Sequence, residues 1–288
     1  MKRSTALLLI MAALLTVCFV LPAPAKAESA INIPLSVSYN STYWWRGVEL
    51  NGKGVGVLWL GAGLEIAGTG LTFYVYSATP EDYLIQSDVS TPDRQANRDY
   101  QKSIWEFDYG FSYEKTLEDT VTLGASLYYV HYPFYDELDP DAINTSFIEA
   151  SVSAAVKTIL TPKLTLFYDY FLEESAAKTP VDEDYYVQFS VSQALIDAQG
   201  FAFTVGGWVG YYNNAYYELK GWSDAGVTVG YVYTLGNSTF GANFNYARSL
   251  TEDFQTVYMR TGAEPPVNGT VGILKNHMWL EFEVTHKI

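Results

Sequence analysis

The sequence predicts an all-β protein, a transmembrane antiparallel up-and-down β-barrel of about twelve strands with both termini on the periplasmic side. Three observations predict it. Apolar and polar residues alternate with a period of two in segment after segment, as they do when one face of a strand meets lipid and the other does not. The joints between segments are alternately short and long. The chain opens on a secretory leader, and 16% of its residues are aromatic, with Tyr and Trp crowded at segment ends.

Residues 1–27 read as a cleaved signal peptide. Lys2 and Arg3 form the charged start, Ala6 to Leu21 the apolar run, and Ala25 and Ala27 the small cleavage-site residues. Residues 28–288 then form a single outer-membrane β-barrel domain. Cys18 lies inside the apolar run and leaves with it, so disulfides and thiolate chemistry drop out. The formal charge of −15 falls to about −18 without Lys2, Arg3 and Lys26, and so acidic a chain offers no surface for nucleic acid. No later window holds the ~18 uninterrupted apolar residues of a membrane helix.

The expected strands cover 33–46, 55–67, 71–79, 103–114, 121–132, 145–157, 163–173, 184–196, 201–213, 224–235, 239–250 and 276–288. In 225–235, Val227, Val229, Tyr231, Tyr233 and Leu235 share one face, and Thr228, Gly230 and Thr234 share the other. In 276–288, Met278, Leu280, Phe282, Val284 and Ile288 oppose Trp279, Glu281, Glu283 and Thr285. This last strand suits the closing seam, where it pairs with the first and leaves no edge. Short turns at 67–70, 116–120, 158–162, 197–200 and 236–238 alternate with loops at 47–54, 80–102, 133–144, 174–183, 214–223 and 251–275. Tyr43, Trp44, Trp45, Tyr128, Tyr129, Tyr132, Tyr185, Tyr186, Tyr211, Tyr212, Tyr216 and Tyr217 are expected in the girdles at the two headgroup levels.

The stretch from Leu35 to Ala78 resembles the opening of the TorF-type porin family, through Tyr43, Trp45, Arg46, Gly47, Gly61, Gly68 and Gly70. It covers about the first fifth of the mature chain, and the strand rhythm continues beyond it. The resemblance implies an outer-membrane porin and leaves its solute open. The chain ends on Ile288, where a terminal Phe is common in such barrels.

If the apolar phase meets lipid, the other phase gives the candidate pore-lining residues: Trp44, Arg46, Glu65, Glu106, Asp108, Glu149, Asp169, Trp208, Glu281 and Glu283, with Gln188, Asn243 and Asn245 beside them. About a dozen strands enclose a lumen wide enough for water unless a loop fills it. Acidic rings there raise the local cation concentration and repel anions. The expected function is therefore passive diffusion of small hydrophilic solutes through a weakly cation-preferring pore. The alternative is a non-conducting structural or adhesive barrel that presents acidic loops. Trp44 and Arg46 are expected inward near the outer mouth and Trp45 outward, with Arg46 either facing opposite-wall carboxylates at a constriction or making a structural ion pair. Residues 251–275 could fold in as a plug or stay outside as a lid.

A lipid-modifying enzyme is the rival from another class. Of His131, His277 and His286, only His131 has the lipid-facing phase near the outer rim, and no Ser motif accompanies it. No catalytic residue, metal site or cofactor is expected. Asp136, Glu137, Asp139 and Asp141, like Glu81, Asp82, Asp88, Asp93 and Asp99, lack calcium-loop spacing and read as solvated loops. Expected partners are outer-membrane lipids and lipopolysaccharide, small hydrophilic solutes, and the barrel-assembly machinery during insertion. The sequence does not give the oligomeric state.

Overall fold

The computed structural model describes residues 31–46, 48–49, 56–80, 105–133, 146–171, 184–198, 200–214, 219–251 and 276–288. The leader, the acidic residues of 80–102 and 133–144, Tyr216, Tyr217 and the 252–275 loop lie outside these. Every regular element among the described residues is a strand: β1 (Ile31–Asn32), β2 (Pro34–Asn40), β3 (Trp44–Trp45), β4 (Val48–Glu49), β5 (Val57–Ile66), β6 (Leu71–Pro80), β7 (Glu106–Leu117), β8 (Val121–His131), β9 (Phe147–Val156), β10 (Lys163–Phe171), β11 (Asp184–Ala198), β12 (Phe201–Asn214), β13 (Leu219–Leu235), β14 (Ser238–Ser249) and β15 (Asn276–Lys287).

Each long strand pairs antiparallel with its neighbours, and β2 and β5–β15 close into a twelve-stranded barrel. The seam lies where the terminal strand was expected to make it, with β15 between β14 and β2. Ile33 and Ile288 exchange both backbone hydrogen bonds at 3.1 Å. β1 continues the register of β2 on β5. No wall strand is left with an open edge, as a sheet surrounded by lipid requires.

Alternation sets the two faces. On β15, Met278 is 68% exposed and its neighbour His277 5%. Leu35, Val37, Leu60, Phe73, Val75, Leu164, Phe189, Val227, Phe244, Leu280 and Phe282 form an exposed apolar belt around the outside. That belt is a large liability in water and an asset in hydrocarbon. Inside, small residues make room for rings on adjacent strands. A Cβ at Gly226 would overlap the ring of Trp208, and one at Gly210 the ring of Tyr186. The β5–β6 turn uses Gly68 and Gly70 at φ of 76° and 81°, which L side chains rarely adopt.

Connections on the side of the termini are all short, and those on the opposite side are long except between β12 and β13. There β12 runs to Asn214 and β13 starts at Leu219, so strand replaces most of the expected 214–223 loop. Most buried residues sit at the long-loop ends of the strands, among them Ala78, Val130, Phe147, Asp169, Asp184, Tyr186, Tyr212, Asp224 and His277. The barrel is thus packed near one mouth, while Glu65, Glu283 and Lys287 at the other stay partly exposed.

The structure corrects the expected first strand. Residues 33–46 do not continue along the wall, because β2 stops at Asn40. Ser41 ends the ladder: its amide donates to the carbonyl of Leu280, and its Oγ accepts from the Leu280 amide, both at 2.9 Å. The chain then turns inward and pairs Trp44 with Glu49 and Trp45 with Val48 in a small hairpin of β3 and β4. The girdle is corrected too. Tyr129, Tyr185 and Tyr211 are on the outer face, where Tyr109 stacks on Tyr129 and Tyr185 on Tyr211. Tyr43, Trp44, Trp45, Tyr128, Tyr132, Tyr186 and Tyr212 are all inside, packed on other inward residues. Trp45 therefore does not face outward as expected. Period-two phase stopped applying to it once the strand ended.

Candidate functional site: an acidic, aromatic lumen

The inward hairpin is fixed by its turn residue. Arg46 has a φ of 50°, uncommon for a residue with a Cβ, and such strain persists only where the surroundings hold it. Its guanidinium forms ion pairs with Glu149 on β9 and Asp169 on β10, which face each other across the β9–β10 ladder. The same group lies 4.4 Å from the Trp45 ring centroid, 4.9 Å from Phe167, 5.5 Å from Tyr186 and 5.7 Å from Tyr212. Planar stacking and forked donation to carboxylates are what guanidinium offers over ammonium. Burial alone would lower the Arg46 pKa, but Asp169 and Glu149 raise it above its ordinary value, so the cation is permanent.

Beside this latch, Asp224 accepts hydrogen bonds from Tyr186 Oη at 3.1 Å, Trp208 Nε1 at 2.7 Å and Ser223 Oγ at 2.7 Å. Tyr212 donates to Asp184 at 3.4 Å. On the other side of the hairpin, Tyr43 and Tyr132 donate to one oxygen of Glu106, at 2.8 and 2.7 Å. Burial, and then the charge of Glu106, push both phenols well above their ordinary pKa, so they remain donors.

Together these elements border a cavity of about 510 Å³. The β2 side supplies Ser36, Ser38 and Asn40, the inward segment Thr42 to Trp45, and the wall Trp59, Tyr76, Tyr128 and Trp279. Among the described residues, five carboxylates line it, those of Glu106, Asp108, Glu149, Glu281 and Glu283, and no lysine or arginine does. Tyr43 meets Trp59 edge-on at 5.5 Å, and Trp44 stacks on Trp279 at 6.0 Å and meets His277 at a tilt, with centroids 4.2 Å apart.

Of the ten candidate residues, Trp44, Glu106, Asp108, Glu149, Glu281 and Glu283 border this cavity. Arg46 and Asp169 form the latch beside it. Trp208 holds Asp224 and meets Trp279 edge-on at 6.3 Å. Glu65 lies apart, paired with Lys287 at 2.9 Å near the termini. Sequence reasoning missed Tyr43 and Tyr132 as partners of Glu106, and Asp184 and Asp224 as buried anchors. Parity does place Asp224 inward with Gly226 and Thr228, since the bulge at Ser223 falls before it and leaves its register unbroken.

The lipid-facing histidine also differs from expectation, because a hydroxyl is in reach. Ser146 Oγ lies 3.1 Å from His131 Nδ1, which also meets Tyr129 Oη at 3.3 Å. Ser146 is 2% exposed, and its Oγ accepts the Tyr132 amide at 3.3 Å. The pair thus ties β8 to β9, and no ester reaches that hydroxyl without displacing the wall.

No family model matches the chain, and no curated protein matches it in sequence. Among solved structures, it is similar to the NanC porin at 12% identity, covering 89% of this chain and 100% of that one, with a TM-score of 0.51. An outer-membrane channel from Pseudomonas putida F1 matches at 11% identity, 93% and 99% coverage and a TM-score of 0.44. LpxR from Salmonella typhimurium matches at 9% identity, 88% and 99% coverage and a TM-score of 0.44. The first of these likenesses shows a shared barrel fold.

Proposed function

We propose that this chain is a bacterial outer-membrane channel through which small hydrophilic solutes diffuse, with a weak preference for cations. The observation that carries the reading is the cavity, lined among the described residues by five carboxylates and no lysine or arginine. Carboxylates facing water in a low-dielectric wall concentrate cations. The outer apolar belt supports insertion in lipid, and the short-turn side, which holds both termini, is assigned to the periplasm. Residues 1–27 act as the cleaved leader, the barrel-assembly machinery inserts the rest, and lipopolysaccharide surrounds the outer rim. Placement in the TorF-type porin family rests on the 35–78 stretch.

One observation favours a second reading. The β3–β4 hairpin turns into the lumen near the long-loop mouth, where Trp45 packs on Tyr186 and Tyr212 and Arg46 is paired with Asp169, as an inward plug would in a non-conducting barrel. Solute uptake separates the two. Proteoliposomes carrying the folded barrel are expected to swell in isotonic arabinose faster than protein-free liposomes. No swelling from a verified folded barrel would favour the plugged reading. The buried Ser146 gives no support to an enzyme.

A further inference from the structure

We propose that the cavity beneath the inward hairpin binds a small hydroxylated amine, of the class of an amino sugar or amino alcohol. The inference rests on the channel reading, for which it names the solute class. A lumen that only had to be wet could be lined by Ser, Thr and Asn throughout. This one sets Trp44, Trp59 and Trp279 around carboxylates, and π-faces and carboxylates together recognise an organic ammonium group.

A second, independent observation concerns atoms rather than charge. Four polar atoms on lining residues are buried and have no hydrogen-bond partner: Nε1 of Trp44, Nε1 of Trp59, Oδ1 of Asn40 and Oδ1 of Asp108. Buried polar groups are normally paired, and leaving them unpaired costs free energy that a bound partner recovers. Two of the four are donors and two are acceptors. An ammonium group serves only the acceptors, whereas a hydroxyl serves either kind. A ligand carrying both satisfies the set.

The same chemistry excludes other classes. An anion would face Glu106, Asp108, Glu281 and Glu283, and the one cation beside the lining, Arg46, is already paired with Glu149 and Asp169. An aliphatic ligand would leave the four polar atoms unpaired. About 510 Å³ admits a monosaccharide-sized molecule and falls in the ordinary range for small-molecule sites. Two of the unpaired atoms, on Asn40 and Trp44, come from the inward segment and its approach, so the hairpin forms part of the site.

The test uses the folded mature barrel in detergent micelles, where binding is read without conduction. Tryptophan fluorescence is titrated with glucosamine, and with glucose as the uncharged molecule of the same shape. Saturable binding of glucosamine is expected, at least about tenfold tighter than any glucose signal. Asp108→Asn and Glu281→Gln should each weaken glucosamine binding by about threefold or more and leave glucose unaffected. Circular dichroism confirms that each variant is folded. Equal affinity for the two sugars, no binding of either, or folded variants that bind glucosamine normally would overturn the proposal. Channel recordings on the same preparation keep the two claims apart. Current steps without glucosamine binding reject only the ligand site, whereas glucosamine binding without current steps rejects only the channel.

Discussion

Arg46→Ala is expected to release the inward hairpin and to raise the unit conductance of the barrel while lowering its thermal stability. Asp169 is fully buried, Glu149 is 17% exposed on the cavity side, and both are ion-paired to the one guanidinium. Removing one partner of a buried pair leaves an uncompensated charge, at a typical cost of about 3–5 kcal/mol. The cost is met either by the wall or by the hairpin. The wall is held by continuous ladders from β7 to β12, whereas β3 and β4 pair only with each other. The hairpin therefore yields first. Arg46→Lys keeps the charge but loses the fork and the flat stack on Trp45, so it should fall between wild type and alanine. Heat-modified gel mobility reads the stability and bilayer recording the conductance. An Arg46→Ala barrel with unchanged conductance would show that the hairpin does not limit the path.

Neutralising the cavity is expected to remove selectivity without harming the fold. The triple variant Asp108→Asn, Glu281→Gln and Glu283→Gln keeps side-chain size and removes three of the five lining carboxyl groups. Glu106 and Glu149 are left in place because Tyr43, Tyr132 and Arg46 depend on them. The cation-to-anion permeability ratio should fall to about one, since the local field that enriches cations is then largely gone. The reversal potential under a salt gradient reads this directly. A triple variant as selective as wild type would move the source of selectivity to the loops.

The wall was legible in the sequence because a period of two is imposed by the strand itself. Met278, Leu280, Phe282 and Val284 could face only one way once Glu281 and Glu283 faced the other. The terminal seam followed from the same pattern. Phase also brought Glu106, Asp108, Glu149 and Asp169 to the interior. The inward hairpin was not legible, for a physical reason. Tyr43, Trp44 and Trp45 extend an alternating strand without a break, so local pattern continues the wall through them. What turns the chain is Ser41 at the seam with β15 and Arg46 on carboxylates 103 and 123 residues away. Contacts that distant leave no local trace. The girdle misread Tyr186 and Tyr212 likewise, since a Tyr at a strand end suits either face until its phase is known.

The central claim is that this lumen conducts and that its carboxylates set the sign of the preferred ion. Single-channel recording of the refolded mature chain under a potassium chloride gradient tests it most directly. Discrete steps are predicted, with a reversal potential displaced toward the potassium equilibrium potential. Silence from a barrel shown to be folded, or displacement toward the chloride potential, would contradict it.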